Sequence, residues 1–347
     1  MLRPVSPPPS DLRPLAIGEI IDRSATFWRK HLKHLFLLSF GFNLLTYILT
    51  KAMQLAMQST LQLLQGAAKG EGDMEAVLVG YGQFLLVTAG TLVGTFWLYW
   101  LATLVVARYV VPAQLGEPVP PSEGVRRGLK RLGAFTGAYA LSLLWGLGAN
   151  LLMALPGALV TGAGAAMLGL SSNPGARLGG GVVLAVGILL VMLGVVGGIL
   201  WYLLRFSLLG PVMAMEELSA VGAFRRSGEL LSGRVEPGFT GRVKVRAMIL
   251  VTVVSVILVA VSILSGLPAL IVQFSYGSPF DPVAAAANPV PQSLLVPAEL
   301  LQVVGQAVFS PLGLVFYALF YLDMRVRREG LDLEQRLGAR STPPVAA

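Results

Sequence analysis

The 347-residue sequence contains no cysteine, which excludes disulfides, thiolate metal sites and cysteine nucleophiles. Charge is also scarce. Asp, Glu, Lys and Arg make up 13% of the chain, about half the roughly 25% of a soluble domain. His31 and His34 are the only histidines. They are neighbours on a helix, but the nearest carboxylates, Glu19 and Asp22, lie about three turns away. The pair therefore reads as interfacial decoration, not as a metal or proton-relay site. No glycine-rich phosphate loop ends in Lys-Ser/Thr ahead of a helix. The apolar stretches hold no paired catalytic carboxylates and no set of metal ligands, so the residues point to a non-enzymatic chain with no cofactor and no bound metal.

What the chain has in excess is apolar sequence. Hydrophobic residues make up 55%, mean hydropathy is +0.72, and several apolar runs reach about 20 residues or more. The expected class is an all-α, polytopic membrane protein. The runs are continuous, whereas strands of a membrane barrel alternate apolar and polar residues. A net charge of +8 fits basic residues beside anionic head groups on the cytoplasmic side better than a nucleic-acid surface.

Six spans are expected, at about 35–52, 78–106, 133–155, 182–204, 247–274 and 296–324. Pro112 marks the exit of the second and Pro156 the end of the third. The fourth reads on past Arg205 to Met215, with a kink at Pro211. The glycine-rich stretch 157–181 carries only Arg177 as a charge and fits either a loop or a membrane-dipped segment. Lys51, near the outer end of the first span, is expected to reach water along its stem. Neutral polar residues inside the spans (Asn43, Thr46, Asn150, Gln302 and Gln306) are expected to bond between helices.

Lysine and arginine alternate in density along the chain. The N-terminal stretch through His34 has six, the connection of spans two and three five, that of spans four and five seven, and the C-terminal stretch five, giving 23 on one side. The remaining three connections share two, Lys69 and Arg177. This bias places both termini in the cytoplasm of a cell (plasma or inner) membrane protein.

An amphipathic pattern precedes each odd-numbered span. In 15–35, Ile17, Ile20, Ile21, Phe27, Trp28 and Leu32 share a face opposite Glu19, Asp22, Arg23, Arg29, Lys30 and Lys33. In 116–132, Val125, Leu129 and Leu132 oppose Arg126, Arg127, Lys130 and Arg131, with Ser122 as N-cap. In 219–231, Ser219 is the cap and Val221, Phe224, Gly228 and Leu231 share a face. The expected architecture is therefore three helical hairpins, each preceded by a cytoplasmic interfacial helix, in units of about 15–111, 116–215 and 219–330. Residues 1–14, proline-rich and without the h-region of a signal peptide, and 331–347 are expected as disordered cytoplasmic tails.

Three segments carry a family resemblance: RPLAIGEIIDRSATFWRKHLKHLFLL near the start, GPVMAMEELSAVGAFRRSGELLSGR in the middle and FYALFYLDMRVRREGLDLE near the end. They resemble a group of uncharacterised bacterial multi-pass membrane proteins related to the glycerophosphoryl diester phosphodiesterase membrane domain. In enzymes bearing that domain, hydrolysis belongs to a separate soluble barrel, which this sequence does not contain. The resemblance thus implies a membrane domain without catalysis.

Glu19, Asp22, Arg23, Arg205, Glu216, Asp323 and Arg325 fall at the same expected depth. They are the candidate site, a cytoplasmic-face polar network that ties the interfacial helices to the bundle, with contacts from Glu19, Asp22 and Arg23 to Asp323 and the last-span arginines. Expected partners are anionic membrane lipids, together with proteins that the sequence does not identify. The alternatives are a transporter or channel for a lipid-like or small solute, which a polar cavity lined by several spans would favour, and a membrane-embedded lipid enzyme.

Overall fold

A computed structural model describes residues 13–68, 74–117, 119–239, 241–276 and 290–333. Residues 1–12 and 334–347 of the expected terminal tails, and parts of the loops near 66–76 and 275–292, lie outside them; 331–333 are helical. Ten helices follow in order: α1 (Ile17–Lys30), α2 (Leu32–Ala68), α3 (Met74–Gln114), α4 (Pro121–Lys130), α5 (Leu132–Leu170), α6 (Pro174–Phe206), α7 (Leu209–Met215), α8 (Ala220–Leu230), α9 (Val243–Tyr276) and α10 (Gln292–Glu329). Among the described residues there is no strand, only an isolated bridge between Arg234 and Arg242. Six helices are long and apolar enough to cross a membrane, and by length and composition the chain is a multi-pass membrane protein.

The chain divides into two compact units, 1–130 with 249–347, and 131–248. In the first, α10 is central. In its most apolar window 61% of residues are buried, against 11–22% for the other five long helices. It packs on α1, α2 and α3. Gly313 of α10 faces Val254 and Leu258 of α9, and Gly305 faces Ser265. Along α2 and α3, Thr91 Oγ1 donates to the Leu49 carbonyl at 3.3 Å and Gly80 faces Leu63, so these helices run antiparallel. Gly330, at φ 66°, ends α10 in a left-handed turn whose N–H returns to the Val326 carbonyl.

The second unit is organised by glycine. From Gly146 against Tyr202, through Gly198 on Asn150, Gly194 on Met153 and Gly157 on Leu190–Val191, to Gly187 on Thr161 and Gly164 on Leu184, each missing side chain lets the α5 and α6 backbones meet. This close approach is what small residues do between helices in lipid, where no hydrophobic force drives association. It also settles 157–181. Both helices continue through that stretch and are joined by a short turn in which Asn173 Oδ1 caps α6 by accepting from the Gly175 N–H at 3.0 Å.

Several boundaries differ from expectation. Helix α3 runs through Pro112, and α5 through Pro156 to Leu170. A proline removes one ladder hydrogen bond, and neighbouring packing within a membrane domain absorbs the loss. The helix after Arg205 breaks earlier than Pro211, at Ser207–Leu208, and Pro211 sits in the first turn of α7, where no intrahelical donor is needed. Ser122 lies inside the first turn of α4, which starts at Pro121, a residue preset for that place. Ser219 caps α8 as expected, accepting from the Gly222 N–H at 3.2 Å.

A methyl group at Gly157 would overlap the α6 backbone, whereas Gly162 faces open space within 4 Å. Gly157→Ala is therefore expected to lower stability by about 1–3 kcal/mol, and Gly162→Ala to be neutral or stabilising. Thermal unfolding of the two variants in one detergent checks the contrast.

Candidate functional site

At one end of the first unit the chain's entry is clamped to α10. The Leu15 N–H donates to Asp323 Oδ1 at 2.8 Å. Arg327 Nε donates to the same oxygen at 2.9 Å, and its terminal nitrogen donates to the Leu15 carbonyl at 2.8 Å. The Asp323 and Arg327 side chains are 0% and 7% exposed. Asp323 and Arg327 are one turn apart on α10, so the helix itself presents the pair. The extended residues before α1 supply the backbone groups that complete it.

Around this clamp the expected network is divided among local ion pairs. Glu19 Oε1 accepts from Arg13 at 2.7 Å and from Arg23 at 2.9 Å. Arg23 and Asp323 line one small cleft with Gln114 and Val326, but Arg23 bonds Glu19 instead. Arg325 pairs with Glu329 at 2.7 Å and lies over the Tyr321 ring, so the arginine partner of Asp323 is Arg327, one helical turn on. Asp22 is exposed and outside these pairs. On α4, Glu123 accepts from Arg126 at 3.0 Å.

Glu216 and Arg205 belong to the second unit. Glu216, at the end of α7, accepts from Arg226 Nε of α8 at 3.0 Å, and Arg131 donates to the Leu218 carbonyl. Among the described residues Arg205 finds no carboxylate. Its guanidinium stacks 5.0 Å above Trp145, and its carbonyl accepts from Ser227 of α8 at 3.1 Å. A cation over an indole face stands where a carboxylate partner would otherwise be needed.

At the α1–α2 junction, His31 Nδ1 lies 2.7 Å from the Tyr109 hydroxyl and its ring stacks on Phe27, 4.2 Å between centroids. Burial holds its pKa below the ordinary 6.5, and Lys30 and His34 push the same way. Among the described residues no three His, Asp or Glu side chains gather as a metal set.

One constellation was missed. Lys51 does not extend towards water. Its ammonium sits 2.7 Å from Glu299 Oε2, the side chains being 14% and 9% exposed, and the Tyr47 hydroxyl donates to the same oxygen at 2.9 Å. The signal was in the sequence. Tyr47 and Lys51 are four apart on one helix, and Glu299 is the only acid early in the last apolar run.

Beside it, Ser39, Asn43 and Thr46 of α2, Thr95 and Tyr99 of α3, Leu258 of α9 and Ser310 and Gly313 of α10 line a cavity of about 170 Å³. Asn43 Nδ2 bridges α2 and α10 by donating to Ser310 Oγ at 3.1 Å, and Gln306 reaches Ser262 of α9 at 3.5 Å. Both are the interhelical bonds expected of them. Asn150 instead donates to the Gly146 carbonyl of its own helix. Compared with known proteins, the chain matches no family model, no curated protein and no solved structure.

Asp323→Ala leaves Arg327 buried without its carboxylate, and a loss of about 3–5 kcal/mol is expected. Asp323→Asn keeps an acceptor for the Leu15 N–H and should lose less. Detergent thermostability measures both, and an unshifted Asp323→Ala would remove the clamp from the structure's supports. For His31, the depressed pKa means that the fold prefers the neutral ring. That stability is complete above pH 6.5 and is lost as pH falls through the folded-state value. Acidification from about pH 7.5 to about pH 5 should therefore lower the melting temperature more for the wild type than for His31→Gln. Parallel curves would rule out the contribution.

Proposed function

We propose that this chain is a non-enzymatic integral membrane protein whose three short helices form a basic collar on anionic lipid at the cytoplasmic face, serving as a scaffold or accessory domain. In this reading the long helices make three hairpins, each entered through one of these interfacial helices, and both termini are cytoplasmic. The observation that carries it is common to α1, α4 and α8. Each buries one face, at Ile20, Ser24 and Phe27, at Gly124 and Gly128, and at Ala223, Ser227 and Leu230. Each leaves basic residues exposed: Arg29 and Lys30, Arg126 and Lys130, and Arg225. On α4 and α8, exposed apolar side chains stand beside those charges, with Val125 at 42%, Leu129 at 68% and Val221 at 50%. A helix docked on one face, apolar on a second and basic on a third is suited to the head-group boundary.

The cavity between α2, α3, α9 and α10, with a few hydroxyls and one amide in an otherwise apolar wall, favours a second reading, passage of a small uncharged solute. No charged group lines it, which fits neither an ion path nor proton coupling.

Reconstitution separates the two. In vesicles containing anionic lipid the wild type should be more heat-stable than in purely zwitterionic ones, by about 1 kcal/mol per engaged basic residue, and high salt should shrink the gain. Replacing Arg29, Lys30, Arg126, Lys130 and Arg225 with Gln should abolish it. A gain that survives these changes overturns the collar. Osmotic recovery of the same vesicles in a neutral polyol, faster than in protein-free vesicles, would install the second reading in its place.

A further inference from the structure

Most hydroxyls in the long helices bond within the chain, with Thr88 a buried exception, and those lining the cavity include several that do not bond their own helix. Serine and threonine in an apolar helix ordinarily satisfy themselves on the carbonyl four residues back. Thr50, Thr60, Thr161 and Ser265 do so, at 3.0, 2.9, 2.8 and 2.7 Å. Among the residues that line the cavity, Thr95 does the same. Ser39, Thr46 and Ser310 do not. The Ser39 hydroxyl has no hydrogen-bond partner although the residue is only 2% exposed. The Ser310 hydroxyl accepts from Asn43 and donates to nothing among the described residues, and both Asn43 amide hydrogens are used, on Ser310 and on the Ser39 carbonyl at 2.9 Å. The Asn43 carbonyl oxygen is left as an acceptor.

An unmet buried polar group costs free energy unless something not belonging to the chain meets it. Here one such group, the Ser39 hydroxyl of α2, lines the same space as the half-buried Asn43, Thr46 and Ser310 polar groups. The rest of its wall is apolar: Phe42, Leu98, Ala102, Leu258 and Leu314.

We propose that this cavity is a binding site for an uncharged, hydroxyl-bearing molecule. Its O–H would donate to the Asn43 carbonyl oxygen or Thr46 and accept from Ser39 or Ser310, while its apolar body lies against Phe42, Leu98 and Leu314. A volume of about 170 Å³ is close to the roughly 150 Å³ that holds benzene in an engineered apolar cavity, so the bound part is of about six to eight heavy atoms. An ion is excluded on energetic grounds. No charged side chain lines the space, and Lys51 and Glu299 are spent on each other. An uncompensated charge there would not be repaid. The inference concerns occupancy and stands apart from the lipid collar and from passage.

The test uses the purified full chain with benzyl alcohol, its methyl ether and toluene as probes, read by equilibrium dialysis and by the shift in melting temperature. Benzyl alcohol should bind saturably at one site per chain, about tenfold more tightly than toluene or the ether, as one hydrogen bond provides. The near-isosteric pair Ser39→Ala and Thr46→Val, made together, should lower the alcohol's preference over toluene by severalfold, Asn43 and Ser310 remaining, and leave toluene unchanged. Should the pair misfold, Ser39→Ala alone should lower the preference by severalfold. The source of the native ligand is read from a solvent extract. A neutral lipid with a free hydroxyl, recovered near one per wild-type chain and depleted in the variant, places it in the bilayer, and saturable probe binding without such a lipid places it in solution. Equal binding of alcohol and toluene, no saturable site, or variants that bind as the wild type does would each overturn the proposal and leave the space to water alone.

Discussion

An apolar surround offers no water to a polar side chain, so donors and charges within the long helices are answered by another part of the chain or by a bound molecule. In the first unit that demand falls on one helix. From end to end, α10 answers Tyr47 and Lys51 at Glu299, Trp28 at the Val308 carbonyl at 2.8 Å, Asn43 at Ser310, and Leu15 at Asp323. The Trp28 bond falls just before Pro311, where the helical ladder has lost a donor. Elements that are distant in sequence are therefore fixed in register by single polar contacts along α10, and apolar packing fills the space between them. That is why α10 is the most buried of the long helices and why so many of its partners come from the first fifty residues.

The second unit solves the same problem by leaving little to answer. Its two long helices carry glycine where they meet, so contact is backbone to backbone and few polar side chains enter. The cation at its end is handled in keeping with this economy. Arg205 lies on Trp145, and the short helix α8 closes over it, with Gly228 leaving the room that the guanidinium occupies. Glu216 is then free to hold α8 through Arg226. Arg205 and Arg226 thus take different roles, because of the two only Arg205 has an aromatic floor.

The helical class and the six long apolar helices were legible because hydrophobic run length is a property of local sequence. Helix ends were less so. Pro112 and Pro156 read as stops, since the rule for proline comes from helices in water. Between packed neighbours the lost hydrogen bond is tolerated, and the glycine after Pro156 shows which neighbour came close. In the polar cluster, the residue types were legible but the pairing was not. Asp323 next to Arg325 in sequence points to a pair, yet on a helix the side chain four residues on is the neighbour, and that is Arg327. Leu15 could not have been found at all, because its backbone is the ligand and a backbone carries no sequence signal. Lys51 and Glu299 lie 248 residues apart, and no local pattern joins them.

That long-range pair bears on what the space beside it can hold. On α2, Tyr47 and Lys51 stand about one and two turns beyond Asn43, roughly 6 and 12 Å along the axis. Had Lys51 faced the cavity alone, its field would have recruited an anion, and Glu299 alone would have recruited a cation. Paired at 2.7 Å, with Tyr47 on the same carboxylate, they cancel at short range and leave a dipole that the adjacent amide and hydroxyls can align with. The neutral site therefore depends on the charged one. Breaking Lys51 from Glu299 would change what the cavity accepts before it changed the cavity's shape, since none of the three side chains is in its wall.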